Sequence, residues 1–234
     1  MHSRRLHSRR LLWTFVPFVV VSVVHVIALA TNSPLTTPTK LLLMPLLAVP
    51  VVALWTRLHP RVAAVILGAA LLFSWLGDEA GLFFPALPEL PLMLGFFGIA
   101  HIAYILLFAR FLREQRLPIW TLAYALWWML MMVVLAPRAG ELIVAVALYG
   151  AVLAGTAAMA SRCAPMIAWG GLLFLASDTI LAFRLFLPET MPAWTSPAVM
   201  LTYTLGQGLL VAGSLRALAA DRASAAEAPA EVVS

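Results

Sequence analysis

The chain predicts an all-α fold: a polytopic transmembrane bundle of eight helices with both termini cytoplasmic. Three observations carry this. Hydrophobic residues make up 63% of the 234 and charged residues only 11%, with a mean hydropathy of +0.99, so too little polar surface exists to cover a soluble domain. The apolar residues fall into runs of about 17 to 25, each able as a helix to cross about 30 Å of hydrocarbon. The cations collect in the short gaps between runs, as loops outside a membrane require.

The elements follow in order. A basic N-terminal segment, residues 1–10, holds Arg4, Arg5, Arg9 and Arg10. The first span runs from Leu11 to Thr31. A cleaved signal peptide ending near Ala28-Leu29-Ala30 is the alternative for it, but about 20 apolar residues is long for that role, and retention is expected. Further spans are predicted at Thr39 to Trp55, Val62 to Phe84, Leu90 to Phe108, Pro118 to Ala136, Leu142 to Ala160, Ala164 to Leu187 and Pro197 to Leu215. Prolines mark the connections, at Pro34, Pro60, Pro85 to Pro88, Pro137 and Pro188 to Pro192, where a helix cannot readily continue. The transmembrane domain thus occupies 11–216, and residues 217–234, rich in Ala, Glu and Ser, read as a disordered cytoplasmic tail.

Orientation follows from the cations. With the N-terminus inside, Arg57, Arg61, Arg110, Arg113, Arg116, Arg162, Arg216 and Arg222 join the four N-terminal arginines, making 12 of the 15 Lys and Arg. Only Lys40, Arg138 and Arg184 fall on the far side. This places an integral protein in a membrane of the bacterial plasma (inner) type. The formal charge of +5 therefore reflects topology and predicts no nucleic-acid partner. One cysteine, Cys163, permits no internal disulfide and no cysteine-based zinc cluster.

Two acids stand out. Asp78 ends the apolar stretch from Ala69, and Asp178 ends the stretch from Gly170. An ionisable group at membrane depth costs several kcal/mol unless it faces protein or water, so both are candidate functional residues. They lie 17 residues after Arg61 and 16 after Arg162, hence roughly 24 to 26 Å from the cytoplasmic anchors and at similar depth. Across a bundle they could meet. Further polar groups recur at helical spacing: His101 and Tyr104 at i, i+3, Tyr203 and Gln207 at i, i+4, Ser74 one turn before Asp78, and Lys40 at the far-side entry of the second span. Read singly, His101 suits an interhelical hydrogen bond, Tyr104, Tyr203 and Gln207 suit orienting roles, and His25 suits packing. Glu79, about 100° around the helix from Asp78, would line the cavity edge or pair with Lys40. A faint internal repeat, Leu71-Leu-Phe73 before Asp78 and Leu172-Leu-Phe174 before Asp178, would make the two acids equivalents in duplicated halves.

Two carboxyls at one site cannot both ionise easily, which leaves a proton donor beside a base or charge stabiliser. That division suits acid-catalysed cleavage of an acetal-like C–O bond through an oxocarbenium ion, and in a bilayer the matching substrate is an ether lipid. One rival reading is a proton-coupled transporter, or a lipid-binding membrane protein without hydrolase activity. Another, a metal-dependent lipid hydrolase, wants about three intramembrane histidines as zinc ligands, and only His101 is well placed. No metal or other cofactor is expected.

The motifs Phe73-Ser74-x-x-Gly77-Asp78, Gly98-x-x-His101-x-x-Tyr104, Leu173-Phe174-x-x-Ser177-Asp178 and Met200-x-x-Tyr203-x-x-x-Gln207, in this order, resemble those of the YhhN or lysoplasmalogenase family of integral membrane proteins. The resemblance implies eight spans and hydrolysis of the vinyl ether bond of lysoplasmalogens to a fatty aldehyde and glycerophosphoethanolamine or glycerophosphocholine. It also implies Asp78 and Asp178 as the catalytic pair, with roles not assigned between them. Lys40 carries over as a phosphate contact, and Ser74, His101, Tyr104, Ser177, Tyr203 and Gln207 as substrate-binding or orienting groups. A lysophospholipid or other ether lipid is the expected partner.

Overall fold

The computed structural model describes residues 2–227, with side chains described for 13–219. The described residues form nine α-helices: α1 (His2–Ala30), α2 (Thr36–Ala53), α3 (Arg61–Asp78), the four-residue α4 (Ala80–Phe83), α5 (Glu89–Leu107), α6 (Leu122–Ala139), α7 (Ile143–Ala160), α8 (Pro165–Phe186) and α9 (Thr195–Glu227). Helix is what this composition dictates, because hydrocarbon offers backbone groups no partner and each span must satisfy its own. Seven stretches are long and apolar enough to cross a membrane, so this is an integral membrane protein. One of them, Ile119–Ala160, has 42 residues, and as a single helix would be about 63 Å long, twice the hydrocarbon thickness. The chain instead reverses at Gly140, whose φ of +52° is a conformation glycine adopts without a side-chain penalty. There α6 and α7 fold against each other. Eight long helices result.

Several boundaries differ from the sequence reading. The third span was expected to continue to Phe84, but α3 stops at Asp78 and the short α4 follows. The physical cause is a cap: the ammonium of Lys40 donates to the carbonyl oxygen of Asp78, satisfying a group that the helix end leaves open. Pro137 lies inside the last turns of α6 rather than in a loop. At the chain ends, α1 begins at His2, within the segment assigned to the basic N-terminus, and α9 continues past Ala217 to Glu227. The last part of the expected disordered tail, residues 228–234, lies outside the described residues.

Large apolar side chains such as Val19, Ile27, Val133, Val144 and Leu205 are exposed along the bundle, as on a surface facing lipid. Polar side chains turn inward. The two most extensively packed pairs are α8 with α9 and α3 with α5. Between α8 and α9 the approach is backbone to backbone: a Cβ on Gly170 would lie 2.8 Å from the Leu210 nitrogen, and one on Gly206 2.9 Å from the Phe174 nitrogen. Between α3 and α5, a Cβ on Gly77 would come within 2.5 Å of the Phe97 ring. These small residues set the depth at which the neighbouring acids meet other helices.

Candidate active site

Asp78 and Asp178 sit at comparable depth. Asp178 is eight residues before the end of α8, and Tyr203, which binds Asp78, is eight residues into α9, placing both about 12 Å below the face away from the chain ends.

Around Asp78 the structure assembles one hydrogen-bonded chain. Tyr203 Oη donates to Asp78 Oδ2 at 2.7 Å. Gln207, one turn later on α9, sends its amide N–H₂ to Ser74 Oγ at 3.0 Å and to Tyr203 Oη at 3.4 Å. Its amide oxygen accepts from Tyr104 Oη at 2.5 Å. Gln207, Ser74 and Tyr104 are fully buried, and such a network persists in an apolar interior because each member is satisfied. Four of the residues singled out by spacing (Ser74, Tyr104, Tyr203 and Gln207) therefore converge on one carboxyl. Lys40 reaches the same place from α2, on the Asp78 carbonyl rather than the carboxyl. Its charge is close to Asp78 and Glu79. Glu79 is buried, with Oε1 unpartnered.

Around Asp178 the partners are different. Tyr149 of α7 donates its hydroxyl proton to Asp178 Oδ2. His101 Nε2 lies 3.8 Å from the same oxygen and 3.4 Å from Tyr149 Oη. His101 Nδ1 meets Thr156 Oγ1 at 3.1 Å. Ser177, adjacent in sequence, turns away and donates to the Val199 carbonyl at 3.0 Å, so it ties α8 to α9 instead of facing the acids. His25, read as packing, is buried and bridges α1 to Thr39 of α2 at 2.9 Å.

Among the described residues no hydrogen bond joins Asp78 to Asp178; each has its own tyrosine, although each lies within electrostatic reach of the other. An aromatic ring contacts residues of both networks. Phe174 packs 4.7 Å from His101, 5.4 Å from Tyr203 and 6.3 Å from Phe97, centroid to centroid. A cation held here would face both ring surfaces and carboxylates, and both attract positive charge.

An apolar well of about 60 Å³ leads to Asp178. It is walled by α5, α6, α7 and α8, from Leu90, Leu135 and Phe186 at one end, past Phe97, Tyr149 and Asp178, to Trp127 and Leu153. From Phe186 to Asp178 is eight residues, about 12 Å of helix. Apart from Asp178, Tyr149 and the Trp127 indole, its lining side chains carry no nitrogen or oxygen. Asp78 is not among them. Among the described residues no three His, Cys, Asp or Glu gather where a metal ion could be held.

Sequence reasoning missed Tyr149 and Thr156. A signal existed: they are seven residues apart, two turns on one face, in a helix otherwise of Ala, Val, Leu, Ile, Gly and Met. Neither falls near an acid or a histidine in the chain, so spacing alone did not connect them to the site.

The fold and site define a class: an integral membrane helical bundle with two inward-facing acids, each held by a tyrosine, one of them in the wall of an apolar well. Within that class the chain belongs to the YhhN family, whose family model matches residues 35–214. No curated protein and no solved structure matches it.

Proposed function

We propose that this protein is a membrane hydrolase that cleaves the vinyl ether bond of lysoplasmalogens, releasing a fatty aldehyde and glycerophosphoethanolamine or glycerophosphocholine. The observation that carries the reading is an apolar well whose wall holds an acid and its tyrosine, Asp178 and Tyr149, which suits a substrate with an apolar chain next to the bond to be cleaved. Family membership supports the same chemistry.

Asp178, the acid that lines the well, gives its proton to the vinyl carbon remote from the ether oxygen. The double-bond electrons form the new C–H bond, and positive charge develops over the other vinyl carbon and the ether oxygen. Asp78, within electrostatic reach of Asp178, stabilises that charge, as an electrostatic site does for a developing ion. Water adds to the charged carbon and loses a proton, which restores the acid. The resulting hemiacetal breaks its bond to the glycerol oxygen, giving aldehyde and alcohol, with one water consumed. With both termini in the cytoplasm, the well opens toward the opposite leaflet.

The test is aldehyde release from a vinyl ether lysolipid by the purified protein in lipid vesicles. Asp78→Asn and Asp178→Asn are each expected to lower turnover about 100-fold or more while the protein stays folded. Near-normal release by either variant would sink the assignment. A saturated alkyl ether lysolipid, which has no double bond to protonate, is expected to remain intact.

A further inference from the structure

Resting on that reading, the hydrogen bonds around His101 bear on how Asp178 regains its proton and on which residue selects the His101 tautomer. Thr156 Oγ1 lies 2.9 Å from the Val152 carbonyl and 3.3 Å from the His101 carbonyl. A hydroxyl has one proton, and both of these neighbours only accept. The shorter contact, to the Val152 carbonyl one turn back, is a common one for a threonine hydroxyl inside a helix, and with the proton there the remaining lone pair is left to accept from His101 Nδ1, 3.1 Å away. In that arrangement Nδ1 carries hydrogen. In neutral His101 the free lone pair is then on Nε2, the nitrogen 3.8 Å from Asp178 Oδ2 and 3.4 Å from Tyr149 Oη.

We infer that His101 and Asp178 work as a proton-exchanging pair, with Thr156 as the positioning residue that keeps Nε2 as the exchanging nitrogen. The other groups near Nε2 fit this. Tyr149 has already given its proton to Asp178, so its oxygen can only accept from a protonated Nε2. Phe174 presses on the imidazole with centroids 4.7 Å apart, and His101 is fully buried, so the ring is held in place. Protonation at Nε2 adds two acceptors, Tyr149 and Asp178, to the Thr156 bond at Nδ1 without moving the ring. Within the reaction, water adding to the charged carbon releases its proton to Nε2. The imidazolium then passes that proton to the Asp178 carboxylate, regenerating the acid and neutral His101 with no other reagent consumed. Catalytic hydrogen bonds are often long in the absence of substrate and tighten in the complex, and the 3.8 Å separation is open to the same closure.

Thr156→Val keeps the shape and removes the hydroxyl, and Thr156→Ser restores it. In vesicles, Thr156→Val is expected to lower kcat about tenfold or more with KM within about twofold, and Thr156→Ser to return most of the loss. Nitrogen-15 NMR of histidine-labelled full-length protein in nanodiscs, with the His101 signals identified from His101→Gln, reads the tautomer without any substrate. Hydrogen on Nδ1 in the wild type, and a shift of that population in Thr156→Val, are the expected results. Hydrogen on Nε2 in neutral wild-type His101, or a Thr156→Val kcat within about twofold of wild type, would overturn the inference. If the wild type releases no aldehyde, the hydrolase reading falls, while the NMR arm still decides the tautomer.

Discussion

Tyr149 and Tyr203 hold the two acids in the same way. Each gives a phenolic proton to one carboxyl oxygen, from a different helix. Replacing either by Phe deletes one donor and little volume. Tyr149→Phe and Tyr203→Phe are each expected to lower aldehyde release about tenfold, equivalent to about 1.4 kcal/mol, with normal membrane insertion; unchanged rates would show that the acids need no orientation. Lys40 has another role: it caps α3. Lys40→Met is expected to lower unfolding stability by about 1.5–3 kcal/mol, the range for a charged hydrogen bond, as measured by thermal unfolding in detergent. Cys163, in the 161–164 connection, is buried, and that burial with Glu114 nearby pushes its thiol up to about 12, against the opposing influence of Arg162. Because the thiolate is the reactive form, the folded protein should resist maleimide at pH 8 and react on unfolding. Rapid labelling of the native state would contradict this. Which polar residues are internal was legible in the chain, because polar groups in an apolar run have to face protein. Which acid each one serves was not.

Helix packing positions these residues. The contact of α8 with α9 passes through Gly170 and Gly206, where a methyl would strike backbone atoms at 2.8 to 3.1 Å, and backbone cannot rotate away as a side chain can. Gly170→Ala should therefore push α9 from α8 and destabilise the protein by about 1–3 kcal/mol. It should also weaken catalysis, since Asp178 is on one of these helices and Tyr203 on the other. Gly68→Ala is the control, because nothing lies within 4 Å of a Cβ there, and helical propensity slightly favours Ala. Equal stability of the two variants would show that the small residues are not setting the spacing. The number and approximate limits of the spans could be read from run length, but the stop at Asp78 could not. It depends on a lysine 38 residues earlier in the chain.

In the whole bundle, two halves of similar packing enclose the acids. The pairs α3 with α5 and α8 with α9 are the third and fourth spans of each half, in keeping with the faint repeat around Phe73 and Phe174. Eight crossings would bring both chain ends to one face, and the arginine distribution predicts that this face is cytoplasmic. Reporter fusions at either terminus of the full chain are expected to be active only as cytoplasmic reporters; opposite locations would remove a span from the count. The all-α membrane architecture and the list of internal polar residues were determined by the amino-acid sequence, because hydrocarbon forces every span into helix and penalises each exposed charge. The division into an Asp78 network and an Asp178 network, the roles of Tyr149 and Thr156, and the well itself were decided only in three dimensions. Spans that are apolar on all sides carry no periodicity to say which face turns where. The partners that matter are far apart along the chain, 125 residues for Tyr203 and Asp78 and 133 for Gln207 and Ser74, so only helix packing brings them together.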